Sequence, residues 1–203
     1  MTEEWPVKVP DAVSECGNVK IETFEITEED AKSANMRYFS RNDRVYAGTY
    51  KKLVIRNEVV MSNTHMERIT NTEFVEQAKG NVLINGLGLG MVLEKLLEKH
   101  EKEGCIEHIT VIEKNPIVIE LVGSYYADNP MITIIEADAL EYKPPVGMKY
   151  DAVWHDIWTF ITSDNLEDMK KLHRKYGRRT KWQGSWARSE CEYQKSRERN
   201  NYW

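Results

Sequence analysis

Short apolar runs alternate with amphipathic stretches through the middle and second half of this chain. Four of the apolar runs predict strands: VLIN, ITVIE, ITIIEAD and YDAVWHD. Apolar positions at helical spacing predict the helices that follow: MVLEKLLEKHEKEG, PIVIELVGSYYA and SDNLEDMKKLHRKYG. Short buried strands that alternate with helices are typical of a parallel sheet covered on both faces. We therefore predict an α/β fold for this part of the chain.

The first third of the chain has a different pattern, which predicts a β-rich extension. Residues 19–26 (VKIETFEI) alternate as a strand does, and residues 51–62 (KKLVIRNEVVMS) indicate two short strands joined by a turn. Thr27 and Asp30 predict the cap of a short helix that runs through about Phe39. One further helix follows before the first of the parallel strands.

These patterns divide the chain into three parts. We assign an N-terminal β-rich extension to residues 1–66, a ligand-binding α/β domain to residues 67–177, and a basic, Trp-containing C-terminal tail to residues 178–203. Only 47 residues follow Asp156, and beyond the last helix they offer one short strand, TKWQGSW. We therefore expect a C-terminally shortened sheet. Because the edge of a shortened sheet must be covered, we also expect a homodimer.

Composition excludes membrane and metal-binding classes. The chain has 203 residues, 30% of them charged, and no apolar stretch long enough to span a bilayer. The N-terminus, MTEEWPVKVPDAVSEC, lacks the basic-then-apolar pattern of a signal peptide, so we expect a cytoplasmic protein. Three cysteines and five histidines show no metal-ligand spacing, and we predict no metal site.

The net charge of −5 is unevenly distributed. From Lys170 to Trp203 there are eleven Lys and Arg but only three Glu. Such a segment could bind a nucleic acid, but its glutamates favour a solvated tail or one that packs on the acidic remainder of the chain. We therefore favour a tail that binds no nucleic acid, and nucleic-acid binding through this segment stays the alternative.

Three of the eleven glycines stand together after the first parallel strand, in NGLGLGMVLE. Gly86, Gly88 and Gly90 separate an apolar strand from an apolar helix. Glycine costs backbone entropy in regular structure, so this cluster needs a reason. We interpret it as a tight strand-to-helix turn whose bare backbone lies against a bound ligand.

Polar residues also end the other three strands. Glu113 ends the second strand, Asp138 with Ala139 follows the third, and Asp156 ends the fourth. In open α/β sheets the ligand binds beyond the carboxyl ends of the strands, so these residues are expected to meet in one crevice. A carboxylate at the position of Glu113 can accept both hydroxyls of a ribose. Asp138 could accept a hydrogen bond from an adenine amine, or it could simply form a turn.

Two cofactor classes use such a crevice. A nicotinamide dinucleotide requires GxGxxG or GxGxxA, and position 91, where the third small residue should stand, is Met. The spacing here is GxGxG. Together with Glu113 and Asp138 it favours S-adenosylmethionine (SAM), which has no pyrophosphate.

At this level of detail the sequence resembles a known family. The series VLINGLGLG, VIEKNP, EADAL and YDAVWHD is similar to the motifs of class I SAM-dependent methyltransferases, and most similar to spermidine synthases and guanidinoacetate-type methyltransferases. The hairpin LVIRNEVVMSNT also resembles the N-terminal extension of spermidine synthases. The resemblance implies a Rossmann-like sheet with SAM as cofactor.

The resemblance also implies roles for individual residues. Asn85, Gly86 and Gly88, in a loop completed by Gly90, would line the methionine moiety of SAM. Glu113 would bind the ribose, and Asp138 with Ala139 the adenine.

The strand end at YDAVWHD supplies the expected acceptor side of the crevice. Asp156 stands where aminopropyltransferases have the carboxylate that deprotonates or orients the attacking amine, and we favour it over His155 as catalytic base. Trp158 could form a wall of the acceptor pocket. In spermidine synthases a second acidic residue follows this Asp, whereas here Ile157, Trp158 and Thr159 follow.

Three functions remain open at this stage. The first is a SAM-dependent methyltransferase that acts on a small amine or a carboxylate-bearing molecule. The second is an aminopropyltransferase that uses decarboxylated SAM. The third is a SAM-binding protein without transferase activity, which the expected shortening of the C-terminal part of the sheet suggests.

Overall fold

Five parallel strands form the central sheet of the computed structural model, which describes residues 5–36 and 44–200. Their order is β7-β6-β5-β8-β9. The strands are β5 (Gly80–Asn85), β6 (Ile106–Glu113), β7 (Ile132–Glu136), β8 (Tyr150–His155) and β9 (Thr180–Ser185). The helices that accompany them are α2 (His65–Gln77), α3 (Met91–Glu103), α4 (Pro116–Leu121), α5 (Asn165–Tyr176) and α6 (Arg188–Asn200). This arrangement confirms the predicted Rossmann-like α/β fold.

The direction in which successive strands are added to this sheet reverses between β5 and β8. Strands β5, β6 and β7 are added successively toward one edge, and the chain then returns to place β8 on the other side of β5. Neighbouring carboxyl ends diverge at such a switch point and leave a crevice between them. Asn85 and His155 pair at these ends of β5 and β8, so the crevice begins immediately after them.

An antiparallel sheet precedes the parallel one, as the alternating pattern predicted. Its strands, in the order β1-β2-β3-β4, are β1 (Ala12–Val13), β2 (Val19–Ile26), β3 (Gly48–Ile55) and β4 (Glu58–Ser62). Helix α1 (Glu28–Asn35) begins at Thr27, which forms a capping box with Asp30. The sequence pattern extended this helix to Phe39, which lies outside the described residues.

Strand β9 comes from the segment that we assigned to a C-terminal tail. It pairs in parallel with β8 along Tyr150 to His155, and α6 then packs against α5. The boundary at residue 178 therefore does not separate this segment from the sheet. The TKWQGSW stretch forms a strand because the Trp182 ring packs beside Trp154, with the ring centroids 6.3 Å apart.

Helix α2 is fixed to the parallel sheet by aromatic and polar contacts. The Phe74 ring stacks on Trp154 with the centroids 5.2 Å apart, and the Trp154 indole N–H donates to Asn71 Oδ1 at 2.9 Å. Asn71 in turn donates to the main-chain oxygen of Glu67. These contacts set the rotation of α2, so that Glu67, one turn before Asn71, also faces the protein interior.

Within the described ranges, no helix is long and apolar enough to cross a membrane. The same residues contain no group of three or more His, Cys, Asp or Glu arranged to hold a metal ion.

Candidate functional site

A cavity of about 320 Å³ opens at the carboxyl ends of the parallel strands. This volume is within the range that small-molecule ligands occupy. The floor comes from the ends of β5, β6 and β8, and the β3–β4 hairpin closes one side. The predicted site residues that line it are Gly86, Gly88, Glu113, Asp138, Ala139, Asp156 and Trp158. Four separate strand ends thus meet in one space.

Gly86 brings the glycine loop against the residue that follows β8. It has a φ of +103°, and an added Cβ would lie 1.9 Å from the main-chain oxygen of Asp156. The Asp156 N–H donates to Asn85 O at 2.8 Å, and the Gly86 N–H donates to Ile112 O at 2.8 Å. No side chain fits at position 86 without separating these two loops. The glycine therefore determines where Asp156 stands.

Gly88 makes room for a side chain of the N-terminal hairpin. A Cβ at Gly88 would lie 2.2 Å from Met61 Sδ, and the Leu89 N–H donates to the same sulfur at 3.3 Å. A β-bulge in β4 lets two consecutive residues, Val60 and Met61, both face the cavity. The thioether of Met61 thus covers the glycine loop, which we had interpreted only as a ligand surface.

Asn85 and Gly90 do not line this cavity. Asn85 is completely buried, and its amide donates to His155 Nδ1 at 2.7 Å. Gly90 begins α3 in a left-handed conformation, and a Cβ there would lie 2.5 Å from the Tyr126 hydroxyl. Both residues therefore shape the walls behind the site. Their contact with a ligand stays a prediction.

Glu113 is held in place by the main chain on both sides of its carboxylate. The Leu87 N–H donates to Oε2 at 2.9 Å, and the Asn115 N–H donates to Oε1 at 2.8 Å. Each carboxylate oxygen has a second acceptor direction, which these bonds leave available. The carboxylate is therefore fixed in orientation and can still accept two hydroxyls from a ligand.

Asp138 and Ala139 lie in a loop that a lysine of α5 holds. Asp138 Oδ1 accepts the Leu140 N–H at 2.8 Å and forms the turn that the sequence left as an alternative. Lys175 Nζ donates to the main-chain oxygens of Ala139, Leu140 and Tyr142 at 2.9, 2.5 and 3.0 Å. The loop is thus anchored, and the second carboxylate oxygen of Asp138 is not used by that turn.

Asp156 is half-buried, and no cationic side chain among the described residues pairs with it. Burial, followed by repulsion from Glu67 and Glu113, raises the pKa of Asp156 well above the usual carboxyl value. His155 directly before it behaves differently: it is fully buried, burial lowers its pKa to about 3, and it is therefore neutral. Since Asn85 Nδ2 can only donate, His155 Nδ1 accepts, and Nε2–H donates to Gln183 Oε1 at 3.3 Å. Asp156 rather than His155 thus faces the cavity.

Glu67 also lines the cavity, although it was not among the predicted site residues. Its side chain is buried, and Oε2 accepts the Trp186 indole N–H at 3.0 Å. Burial raises its pKa to about 7. One signal was available: Glu67, Asn71 and Phe74 are spaced as the buried face of a helix, where a carboxylate is unusual.

Acidic groups dominate the charges around the cavity. Its lining carboxylates are Glu67, Glu113, Asp138, Asp156 and Asp168. Asp168 is paired with Lys171 at 3.0 Å, on the exposed side of α5. Lys114 is the one cationic lining residue within the described part of the chain. A cavity of this composition favours cationic ligands.

No family model matches this sequence, and no curated protein matches it. Similar solved structures are the spermidine synthase of Thermotoga maritima (17% identity, TM-score 0.44), the N-methyltransferase NodS of Bradyrhizobium japonicum WM9 (17%, 0.40) and a S-adenosylmethionine-dependent methyltransferase of Clostridium acetobutylicum ATCC 824 (12%, 0.39). The similar regions cover 81%, 54% and 56% of this chain, and 53%, 61% and 43% of those proteins.

These three similar structures are two methyltransferases and a spermidine synthase. This chain spans about half the length of these proteins. Identities and TM-scores of this size do not identify an activity for this chain. The evidence for a function must come from the cavity.

Proposed function

We propose that this protein is a SAM-dependent transferase that acts on a small amine. The observation that carries the proposal is the meeting of four strand ends in one cavity. Glu113 supplies a fixed carboxylate there, and Asp156 supplies one that has no cationic partner within residues 5–36 and 44–200. The first suits a ribose and the second suits an amine nucleophile.

The residues present fit the adenosyl part of SAM. Glu113 would accept the ribose hydroxyls, and Asp138 would accept the adenine amine beside the small side chain of Ala139. Gly86 and Gly88 would border the sulfonium end, where the unpaired carboxylates supply negative potential. The indole N–H of Trp158 is buried and has no hydrogen-bond partner within the described ranges, so a ligand acceptor would satisfy it. When bound, the sulfonium supplies an alkyl group on a good leaving group.

Asp156 would prepare the amine for attack. An ammonium has no free electron pair, so one proton must leave before nitrogen can react. The raised pKa of Asp156 makes its carboxylate a stronger base than an exposed aspartate. The apolar wall of Leu53, Val60 and Met61 would keep bulk water from the reacting atoms.

Aminopropyl transfer from decarboxylated SAM is the second candidate. Beside the glycine loop the cavity presents Glu67 and Asp156 and a thioether at Met61. No cation stands there within the described residues to pair with the α-carboxylate of SAM. This favours a cofactor that lacks the carboxylate.

Product analysis tests both candidates. The protein would be incubated with SAM or decarboxylated SAM and a mixture of small amines, and the amines analysed by mass spectrometry. Mass gain by a methyl group with SAM supports the first candidate, and gain of an aminopropyl group supports the second. Binding of either cofactor without any product would leave a binding protein, and binding of neither would contradict the proposal.

A further inference from the structure

Glu67 is a buried carboxylate whose position is fixed by three elements. Its helix α2 is held to β8 through Asn71 and Trp154, and Trp186, in the turn after β9, donates to its Oε2. Trp186 itself is buried and lines the cavity. The carboxylate thus stands in the cavity wall on a rigid support.

Glu67 and Asp156 line the same cavity, and the charge of Glu67 acts on Asp156. Repulsion from Glu67 raises the pKa of Asp156, and burial raises the pKa of Glu67 to about 7. The other titratable and charged groups that line the cavity with this pair are Glu113 at the end of β6, Lys114 after it, Asp138 after β7 and Asp168 on α5. Glu113 adds to the repulsion. Two such carboxylates cannot both be ionised in an empty cavity at low cost.

We propose that Glu67 and Asp156 share one proton in the free protein and release it when a cationic amine binds between them. This inference rests on the proposed function and deepens it, because it makes Glu67 a second amine-binding carboxylate. The indole rings of Trp158 and Trp186 line the same space, and aromatic faces attract ammonium groups.

The proton balance of this step is simple. The free pair carries one proton and one negative charge. When an ammonium enters, the shared proton passes to solvent, both carboxylates are negative, and the ammonium compensates the added charge. The proton that the amine itself must lose before it reacts can then pass to Asp156, which is again unprotonated.

Isothermal titration calorimetry in two buffers with different ionisation enthalpies tests the inference. Linear alkyl amines and diamines serve as probes, and alcohols of equal length serve as uncharged controls. We expect the wild type to release roughly one proton per amine near neutral pH, because the folded pair holds that proton before binding. The alcohols should release none.

Glu67→Gln should reduce this release, because it removes the repulsion of Asp156 by Glu67, and should weaken amine binding by about tenfold or more, the loss expected for one charged hydrogen bond. Glu76→Gln, an exposed carboxylate on the same helix outside this cavity, is the matched control and should behave as wild type. Trp186→Phe keeps the carboxylate but removes its N–H donor. That hydrogen bond lowers the pKa of Glu67, so its loss should raise this pKa. Amine binding to the variant should therefore stay coupled to proton release up to a higher pH than in the wild type.

The inference is wrong if the wild type binds no amine, if it binds amines without proton release, or if Glu67→Gln keeps both release and affinity. Should Glu67→Gln fail to fold, an unchanged pH range for Trp186→Phe would also overturn it. Methylthioadenosine binding, measured separately, tests the adenosyl site. Loss of that binding with proton-coupled amine binding intact would contradict the proposed function alone.

Discussion

Two aspartates at opposite ends of β8 show how differently the two ends of the sheet are built. Asp151, at the amino end of β8, accepts the Asn81 N–H at 2.9 Å and pairs with Lys181 at 2.5 Å. These partners lower its pKa. Asp156, just after the carboxyl end, has no cationic partner in the part of the chain that the structure describes, and burial with two neighbouring glutamates raises its pKa.

Each aspartate also lies against a glycine of β5 or its loop. A Cβ at Gly80 would lie 2.2 Å from Asp151 Oδ2, and a Cβ at Gly86 would lie 1.9 Å from the Asp156 main-chain oxygen. At the amino end this closeness serves an ion pair and a hydrogen bond. At the carboxyl end it places an unpaired carboxylate beside a cavity. The amino end is built for stability, and the carboxyl end accepts an electrostatic cost that a bound cation can relieve.

Asp156→Asn is the change with the largest expected effect on activity. If Asp156 is the base, transfer should fall roughly 100- to 10,000-fold, the usual contribution of general-base catalysis. Turnover measured at saturating cofactor and amine tests this. Asp151→Asn, on the same strand, is the control and should keep wild-type turnover. Equal losses of turnover in the two variants would contradict a catalytic role that belongs to Asp156 and not to Asp151.

The same pair predicts opposite pH effects on stability. In Asp156 the folded pKa is raised, so its contribution to the free energy of unfolding falls as pH rises from the ordinary carboxyl value through the folded value. In Asp151 the folded pKa is lowered, so its contribution is complete above the ordinary value and is lost as pH falls through the folded value. Urea unfolding of both asparagine variants across pH measures these slopes. A stability-against-pH curve unchanged in either variant would contradict the corresponding shift.

Gly86→Ala should cost about 3 kcal/mol or more in unfolding free energy, because the Asp156 main chain leaves no space and φ is positive. Gly104→Ala is the matched control: its φ is +63° and nothing lies within 4 Å of an added Cβ. That change should cost only about 1 kcal/mol. Chemical denaturation of both variants gives the comparison, and similar costs would mean that the two loops can separate easily.

Asp151→Asn has the smallest expected effect on stability, about 1 kcal/mol at neutral pH. It removes an ion pair with a largely exposed lysine and weakens one hydrogen bond to a main-chain N–H. Lys181→Met should cost a similar amount or less, and the double variant should cost less than the sum. Additive costs would show that the pair contributes nothing measurable.

The sequence was sufficient to predict which residues end the strands, but not the direction in which their side chains point. Apolar runs followed by Glu113, Asp138 and Asp156 were sufficient to place these residues at one edge of a parallel sheet, because parallel strands end together. The same pattern could not show that the Asn85 side chain points toward His155 and away from the cavity. That direction depends on which face of the sheet each side chain occupies, and the order of residues along one strand does not determine it. A glycine loop likewise shows where backbone is bare, but not whether a ligand or Met61 lies against it.

Residues from other elements were out of reach for a physical reason. Glu67 enters the site only because Asn71 and Phe74 rotate α2 against Trp154, a contact between residues about eighty positions apart. Trp186 reaches Glu67 across 119 positions. No local pattern encodes such contacts, and a carboxylate on a helix's buried face was their only trace in the sequence.

Thermal unfolding of the wild type, Glu113→Ala and Glu107→Ala with adenosyl ligands tests the central claim most directly. Glu107 stands at the amino end of the same strand as Glu113 and accepts a hydrogen bond from the Asn81 side chain. At a hundred times its dissociation constant, S-adenosylhomocysteine or methylthioadenosine should stabilise the wild type and Glu107→Ala by about 2.7 kcal/mol. Glu113→Ala should lose this gain, and NAD should stabilise none of the three. Stabilisation that survives in Glu113→Ala, or that only NAD produces, would contradict an adenosyl site at the carboxyl ends of the strands.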